Sequence, residues 1–305
     1  MRVLVTGAAG FLGRHLTSHL SRTHDIIALV RRPLENPVSG ASEVLVGGLD
    51  DPTALLNYGK PIDAVCHVAA SVALKDTVEE REKLWRDNIL ATQNLLTVCQ
   101  MLSINRLVYS SSVSVYDQPV SELPVHEDAR IRPINSYGCS KWVGEWMVSS
   151  SLLPPTTVRF ILRYSSIYGK GQRPDAVLPI FIRRVLDGQP PKLFGRGTRS
   201  QDFVYVEDIC TLNARCLESD PQKPVSIYNG GSGVETSMAQ LARDVINVFG
   251  QPGLHEAESI DVASEDTTRF FLDISKASRD LGYHPSDLLD GLTKLRGEGN
   301  LPWPA

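Results

Sequence analysis

The sequence predicts an α/β fold, a doubly wound parallel sheet with helices on both faces, joined to a smaller α/β lobe. Three observations carry that prediction. Short apolar, β-branched runs alternate with helix-patterned segments. The first run leads straight into a turn with three regularly spaced glycines and then a helix pattern. After Tyr168 the alternation gives way to proline- and glycine-rich stretches, with Pro174, Pro179, Pro190 and Pro191 among them. The expected division assigns residues 1–165 and 204–228 to the sheet domain, and 166–203 and 229–305 to the smaller lobe.

Arg2-Val3-Leu4-Val5 reads as a buried parallel strand. The turn Thr6-Gly7-Ala8-Ala9-Gly10-Phe11-Leu12-Gly13 follows, and Leu16 and Leu20 then stand four apart, as on a helix. Glycines here let the backbone turn tightly and approach a pyrophosphate, with a helix N-terminus facing the phosphates. Gly7, Ala9, Gly10, Phe11, Leu12 and Gly13 are therefore expected to bind a dinucleotide. The second strand, Asp25–Val30, ends in Arg31-Arg32, where a carboxylate for the ribose 2′-hydroxyl is the usual choice. Guanidinium groups bind a 2′-phosphate instead, so NADP is favoured and NAD remains possible.

Further strands are expected at Val44–Val46, Ala64–Val68, Arg106–Ser110 and Val158–Arg163, with helices at Trp85–Leu102 and Tyr137–Ser150. The serine run Ser110-Ser111-Ser112 precedes Tyr137-Gly138-Cys139-Ser140-Lys141 by twenty-five residues. Tyr137 and Lys141, four apart, share a helix face. A free tyrosine titrates near 10, and an ammonium about 4 Å away is worth on the order of 4 kcal/mol at moderate dielectric. Lys141, with a positive nicotinamide ring, is expected to make Tyr137 a usable acid/base, while Ser112 holds the substrate oxygen. The three form the expected catalytic set for hydride transfer with a nicotinamide.

Composition narrows the field. The net charge is −4 and the pI near 6.0, which gives no electrostatic argument for nucleic acid or an anionic membrane as partner. No apolar stretch reaches membrane-span length, and Met1-Arg2 runs directly into the first strand, so no signal peptide is expected. The five cysteines show no Cys-x-x-Cys spacing and the seven histidines are scattered. A reduced, cytoplasmic protein without a metal site is expected.

The chain resembles the extended short-chain dehydrogenases/reductases, the nucleotide-sugar epimerase/dehydratase group typified by UDP-galactose 4-epimerase. The resemblance runs through Thr6-Gly7-x-x-Gly10-x-x-Gly13, Asp63-x-Val65-x-His67-x-Ala69-Ala70, Asn88–Leu96, Ser110–Tyr116 and Pro133–Lys141. It continues through Leu162–Gly169, Gly195-x-Gly197-x-x-x-x-Asp202-Phe203-Val204-Tyr205-Val206-x-Asp208, Tyr228–Gly233 and Asp273–Ala277. It implies a Rossmann domain, a substrate lobe, a bound nicotinamide dinucleotide, and a homodimer built from the helices Trp85–Leu102 and Tyr137–Ser150, with Leu90, Trp142 and Trp146 at the contact. It adds Gly48, Leu49, Ala69, Ala70, Asn88 and Ser110 to the cofactor set. Ser71, Ser166, Arg199, Gln201 and Arg269 form the expected substrate set, for a nucleoside-diphosphate sugar.

Four departures shape the function. Val113 and Ser114 replace the Asp-Glu pair of 4,6-dehydratases, which argues against dehydration. Gly48 stands where the family often has Asp, and Ser166 where it often has Asn. Gln201 replaces an Arg that binds the diphosphate, a charge Arg196, Arg199 or Arg269 could restore. The preferred reading is reduction of a 4-keto sugar nucleotide. The alternatives are a nucleotide-sugar 4-epimerase, an NADPH-dependent reductase of a small non-nucleotide ketone, and, least favoured, an NADP-sensing regulator without catalysis.

Overall fold

In a computed structural model, which describes residues 1–72, 76–150, 153–221 and 223–299, the core is a seven-stranded, all-parallel sheet. Its strands are β1 (Arg2–Thr6), β2 (Asp25–Val30), β3 (Glu43–Val46), β4 (Ala64–His67), β5 (Arg106–Ser112), β6 (Val158–Tyr164) and β11 (Val225–Gly230). They lie in the order β11-β6-β5-β4-β1-β2-β3. Chain order reverses between β1 and β4, and a crevice opens outside the carboxyl ends of the strands at such a switch point. The register sets Thr6 beside His67 and Ser112 beside Tyr164 at that edge. Val3, Val5, Ala28, Ala64, Cys66 and Val108 are fully buried, which explains why these strands read as continuous apolar runs.

Helix α1 (Phe11–Leu20) follows the glycine turn and packs against α7 (Val206–Glu218). A four-residue helix, α2 (Thr53–Leu56), follows β3. On the other face lie α3 (Val78–Leu84), α4 (Ala91–Met101) and α5 (Ser136–Ser150). The helix expected from Trp85 begins earlier, at Val78, because Thr77 caps it by accepting from Glu80 N at 3.3 Å and Glu79 and Glu80 suit its first turn. Residues Trp85–Leu90 form a π-helical turn that joins α3 to α4. This wider turn lets the consecutive pair Asp87 and Asn88 both face inward.

The second apolar core gathers α6 (Val177–Leu186), α8 (Met238–Phe249) and α10 (Leu288–Gly297) around Phe181, Ile182, Leu241 and Leu292. Its strands are short and paired by twos: β7 (Ser166–Tyr168) with β10 (Phe203–Tyr205), β8 (Lys192–Phe194) with β13 (Glu258–Ile260), and β9 (Ser200–Gln201) with β12 (Thr236–Ser237). Helix α9 (Ser275–Leu281) closes against β11. The expected end of the smaller lobe, 300–305, lies outside the described residues.

Candidate active site

A cleft of about 1760 Å³ runs along the carboxyl edge of the sheet, from β3 to the second lobe. Every residue expected in the site lines it except Asn88 and Arg269.

At the glycine turn Gly7 adopts φ +66°, and a Cβ there would lie 2.7 Å from Ala69 Cα. A Cβ on Gly13 would lie 2.8 Å from Ala8 Cα, so only glycine lets α1 close onto the turn. Helix α1 has no side-chain cap at Gly10, which leaves its first N–H groups open to an anion. These features fit the pyrophosphate of a dinucleotide. Behind the turn, Thr92 donates its hydroxyl to Asn88 O at 2.6 Å and lies 3.0 Å from His67 Nε2. Nε2 is thereby the donor, leaving Nδ1 to accept from Thr6 at 2.8 Å. Burial, with the Lys141 charge, pushes His67 down to about 3, so the ring stays neutral. Thr6 Oγ1 in turn accepts from Ala69 N at 3.2 Å and fixes the loop that lines the cleft.

Asn88 holds that same loop rather than facing the cleft. It accepts from Ser71 N at 2.7 Å and donates to Ser71 O at 3.0 Å and to Ser140 Oγ at 2.9 Å. Ser140 donates to Tyr137 O at 2.8 Å, so one asparagine ties the cofactor loop to the catalytic helix. Both ends of the Asn88 amide are thus engaged within the protein. Ser71 also donates its hydroxyl to Asp87 at 2.6 Å.

The three residues expected to be catalytic converge in the cleft. The Ser112 hydroxyl lies beside the Tyr137 phenol and donates to Ser114 Oγ at 3.2 Å. Lys141, 3% exposed, donates from Nζ to Ser110 O at 2.8 Å. The electrostatics differ from the expectation. Burial pushes Tyr137 up to about 12, against the Ser112 hydroxyl and the Arg173 charge, and pushes Lys141 down to about 8 despite the Glu145 charge. Desolvation penalises both ions, and the ammonium is turned to a backbone carbonyl. Tyr137 in the free chain is therefore a firmly protonated donor. One turn further along α5, buried Glu145 accepts two bonds from Arg163, at 2.9 and 2.8 Å, and one from Ser111, locking α5 to β5 and β6. On the outer side of α5, Cys139 is exposed in line with Trp142 and Trp146, whereas Cys66, Cys99, Cys210 and Cys216 are buried.

The charged rims were less foreseeable. Arg31 and Arg32 line the cleft at the carboxyl end of β2, as do Lys83 and Arg86. Asp87, 4% exposed, pairs with Arg31 at 3.2 Å and Arg86 at 3.0 Å. Burial works against that carboxylate, yet Ser71 and both arginines hold it below the usual range. At the other end Arg173, which sequence reasoning missed, lines the cleft near Tyr137 and pairs with Asp175 at 3.2 Å. Its only signal was a basic residue between Tyr168-Gly169 and Pro174. Gln201 and Ser166 share a hydrogen bond of 3.4 Å, and Arg199 lies 3.5 Å from Asp266. Arg269 donates to Glu235 at 2.7 and 2.6 Å and does not line the cleft.

Residues 3–231 match the model of the NAD dependent epimerase/dehydratase family. The chain belongs to that family. It is 33% identical over 303 residues to a putative UDP-glucose 4-epimerase of Methanocaldococcus jannaschii, covering 96% of both chains. Among solved structures it resembles MoeE5 in complex with UDP-glucuronic acid and NAD, with a TM-score of 0.83, 28% identity and coverage of 98% and 100%. The UDP-glucose 4-epimerase of Thermotoga maritima, solved with UDP-glucose, gives a TM-score of 0.84 at 25% identity, covering 97% of each chain. The chain is thus an NAD(P)-dependent enzyme of the nucleotide-sugar class, as its motifs implied. Among the described residues no group of three or more His, Cys, Asp or Glu is arranged to hold a metal ion, and no helix is long and apolar enough to cross a membrane.

Proposed function

We propose that the enzyme inverts a nucleoside-diphosphate sugar at C4 by oxidation and re-reduction of the carbinol. The observation that carries this reading is the convergence of Ser112, Tyr137 and Lys141 in one cleft large enough for a dinucleotide and a sugar nucleotide together. The names of the relatives support it. A bound nicotinamide dinucleotide supplies the hydride acceptor and donor. Tyr137 takes and returns the hydroxyl proton, Ser112 holds the same oxygen, and Lys141 orients the cofactor ribose while its charge favours the phenolate. Residues 166–203 and 229–305 serve as the substrate lobe, where Arg173 and Arg199 face the anionic part of the substrate in place of the arginine that Gln201 lacks.

Reduction of a 4-keto sugar nucleotide by NADPH is the second reading, favoured by Arg31, Arg32, Lys83 and Arg86 at the adenosine end. It ranks below epimerisation, reversing the order drawn from the sequence, because Asp87 already neutralises part of that charge. Interconversion of UDP-glucose and UDP-galactose by protein without added nicotinamide supports the first reading. Stoichiometric NADPH consumption with a UDP-4-keto sugar, and no interconversion, establishes the second. The working unit is a homodimer: Trp85, Trp142 and Trp146 are exposed on the outer helices, Leu90 half-buried beside them, and such a patch is rarely left open in a monomer. Light scattering at micromolar concentration tests the dimer.

A further inference from the structure

Away from the catalytic residues, one cluster of ionisable groups joins α1 and α7 to the segment that follows β7. His15, on the second turn of α1, is partly buried. Its Nδ1 lies 3.0 Å from Oε1 of Glu207, in the first turn of α7, and its Nε2 lies 2.8 Å from Lys170 O. His19, one turn further along α1, meets the other oxygen of Glu207 through Nδ1 at 3.2 Å. An ionised carboxylate and a backbone carbonyl only accept hydrogen bonds. Both ring nitrogens of His15 must therefore donate, and only the imidazolium has both protons. Burial works against that charge, yet the bonds to Glu207 and Lys170 O lift His15 above its ordinary range. Burial likewise opposes the Glu207 charge, and His15 and His19 hold that carboxylate down to about 2. The other charged groups facing the ring are Arg14 and Lys170, which border a hollow beside it, and Glu298, just past α10.

The carbonyl of Lys170 belongs to a segment with a place in the cleft. Gly169 packs so closely on α7 and α1 that a Cβ there would lie 3.0 Å from Val206 Cβ and 3.5 Å from Phe11 Cε2. Phe11 sets its ring edge-on to His15, with 5.6 Å between centroids. Gly171 turns the chain at φ +84°, and Gln172 and Arg173 then line the cleft, Arg173 near Tyr137. Helix α1 itself starts at the glycine turn that fits the dinucleotide phosphates. One protonated ring thus ties the segment carrying Arg173 to the helix behind that turn. A neutral ring would leave one nitrogen as an acceptor facing an acceptor, and one of the two ties would open.

We infer that His15, as an imidazolium held between Glu207 and Lys170 O, is a positioning residue: it fastens the segment Gly169–Arg173 to α1 and so presents Arg173 to the substrate. This rests on the nucleotide-sugar reading above, in which Arg173 faces the anionic part of the substrate.

The experiment uses NAD-loaded protein and two readouts. Heteronuclear NMR of the histidine rings, with His15 assigned by its loss in His15→Gln, should show both nitrogens protonated at pH 7.5, where a free histidine is about nine-tenths neutral. Glu207→Gln should return the ring to the neutral form at that pH. In calorimetric titrations with UDP-glucose, His15→Gln should bind at least about tenfold more weakly than native protein, the scale of a hydrogen bond to a charged group. Arg173→Ala should lose a similar factor, and the double variant no more than about twofold beyond either, because the first residue acts through the second. The native affinity should fall as pH rises through the value at which NMR shows the ring losing its proton, and that of His15→Gln should stay flat there. A neutral His15 in the native protein at that pH overturns the inference. So do a His15→Gln variant of native affinity, and losses that simply add in the double variant, which would leave His15 a purely structural role. A native protein that binds no UDP-glucose, although NMR shows the imidazolium, would instead overturn the nucleotide-sugar reading, and the positioning role with it.

Discussion

The two lobes that border the cleft use their polar side chains differently. Along the sheet, nearly every polar group near the catalytic trio is buried and committed: Lys141 to Ser110, Asn88 to Ser71 and Ser140, His67 to Thr6 and Thr92, Glu145 to Arg163. In the second lobe, Arg196, Arg199 and Arg269 each pair at the surface with an acid, Glu265, Asp266 and Glu235. Buried networks of the first kind tolerate little loss, because removing one partner strands another out of water. Exposed pairs of the second kind are worth little and exchange partners readily. The function proposed above assigns the reaction to the first lobe and the choice of substrate to the second.

Five experiments would sharpen or break that contrast. The largest effect belongs to Glu145→Ala, which leaves the Arg163 guanidinium buried without its carboxylate and should cost about 3–5 kcal/mol, read by urea unfolding. A loss below about 1 kcal/mol would place this network with the surface pairs. Next, Tyr137→Phe should lower turnover by at least about a hundredfold, near 3 kcal/mol of barrier, with cofactor binding little changed. Near-native turnover would remove Tyr137 from the chemistry.

Lys141 carries a pH signature. Its folded value, about 8, lies below the unfolded 10.5, so folding penalises the charged form. That penalty is full below pH 8 and gone above pH 10.5, because the unfolded chain binds the extra proton in between. Lys141→Met should thus abolish activity yet stabilise the fold at pH 7 by up to about 3 kcal/mol, a gain that fades through that window. Destabilisation at pH 7 would show the ammonium to be well satisfied where it lies. The smallest effect is expected of Arg269→Ala, whose pair with Glu235 is exposed: KM should change by less than about twofold. Arg31→Ala with Arg32→Ala supplies the matching test at the cofactor end, weakening NADP more than NAD only if both guanidiniums reach a 2′-phosphate.

How much of this could be read from the sequence depended on distance along the chain. The strand–turn–helix at Arg2–Leu20 and the Tyr137/Lys141 pair are local patterns, and the structure brings them together with Ser112. The π-helical turn left no mark in the periodicity, because Asp87 and Asn88 face inward to meet partners distant in the chain, among them Ser71, sixteen or seventeen residues earlier. The partners of Arg196, Arg199 and Arg269 lie 34 to 69 residues away. Nothing near those arginines announced that acids had already claimed them. The raised pKa of Tyr137 in the free chain was illegible for a related reason: spacing gives the nearby charge, and only packing gives the desolvation that opposes it.

Cys139 makes one part of this open to simple chemistry. It is the exposed thiol of a protein whose other cysteines are buried, and it shares the outer stripe of α5 with two exposed tryptophans. A maleimide or disulfide reagent should therefore modify one site per chain. If two copies meet along that stripe, the rate of modification falls as protein concentration rises, and a dye attached at Cys139 reports association without any engineered residue.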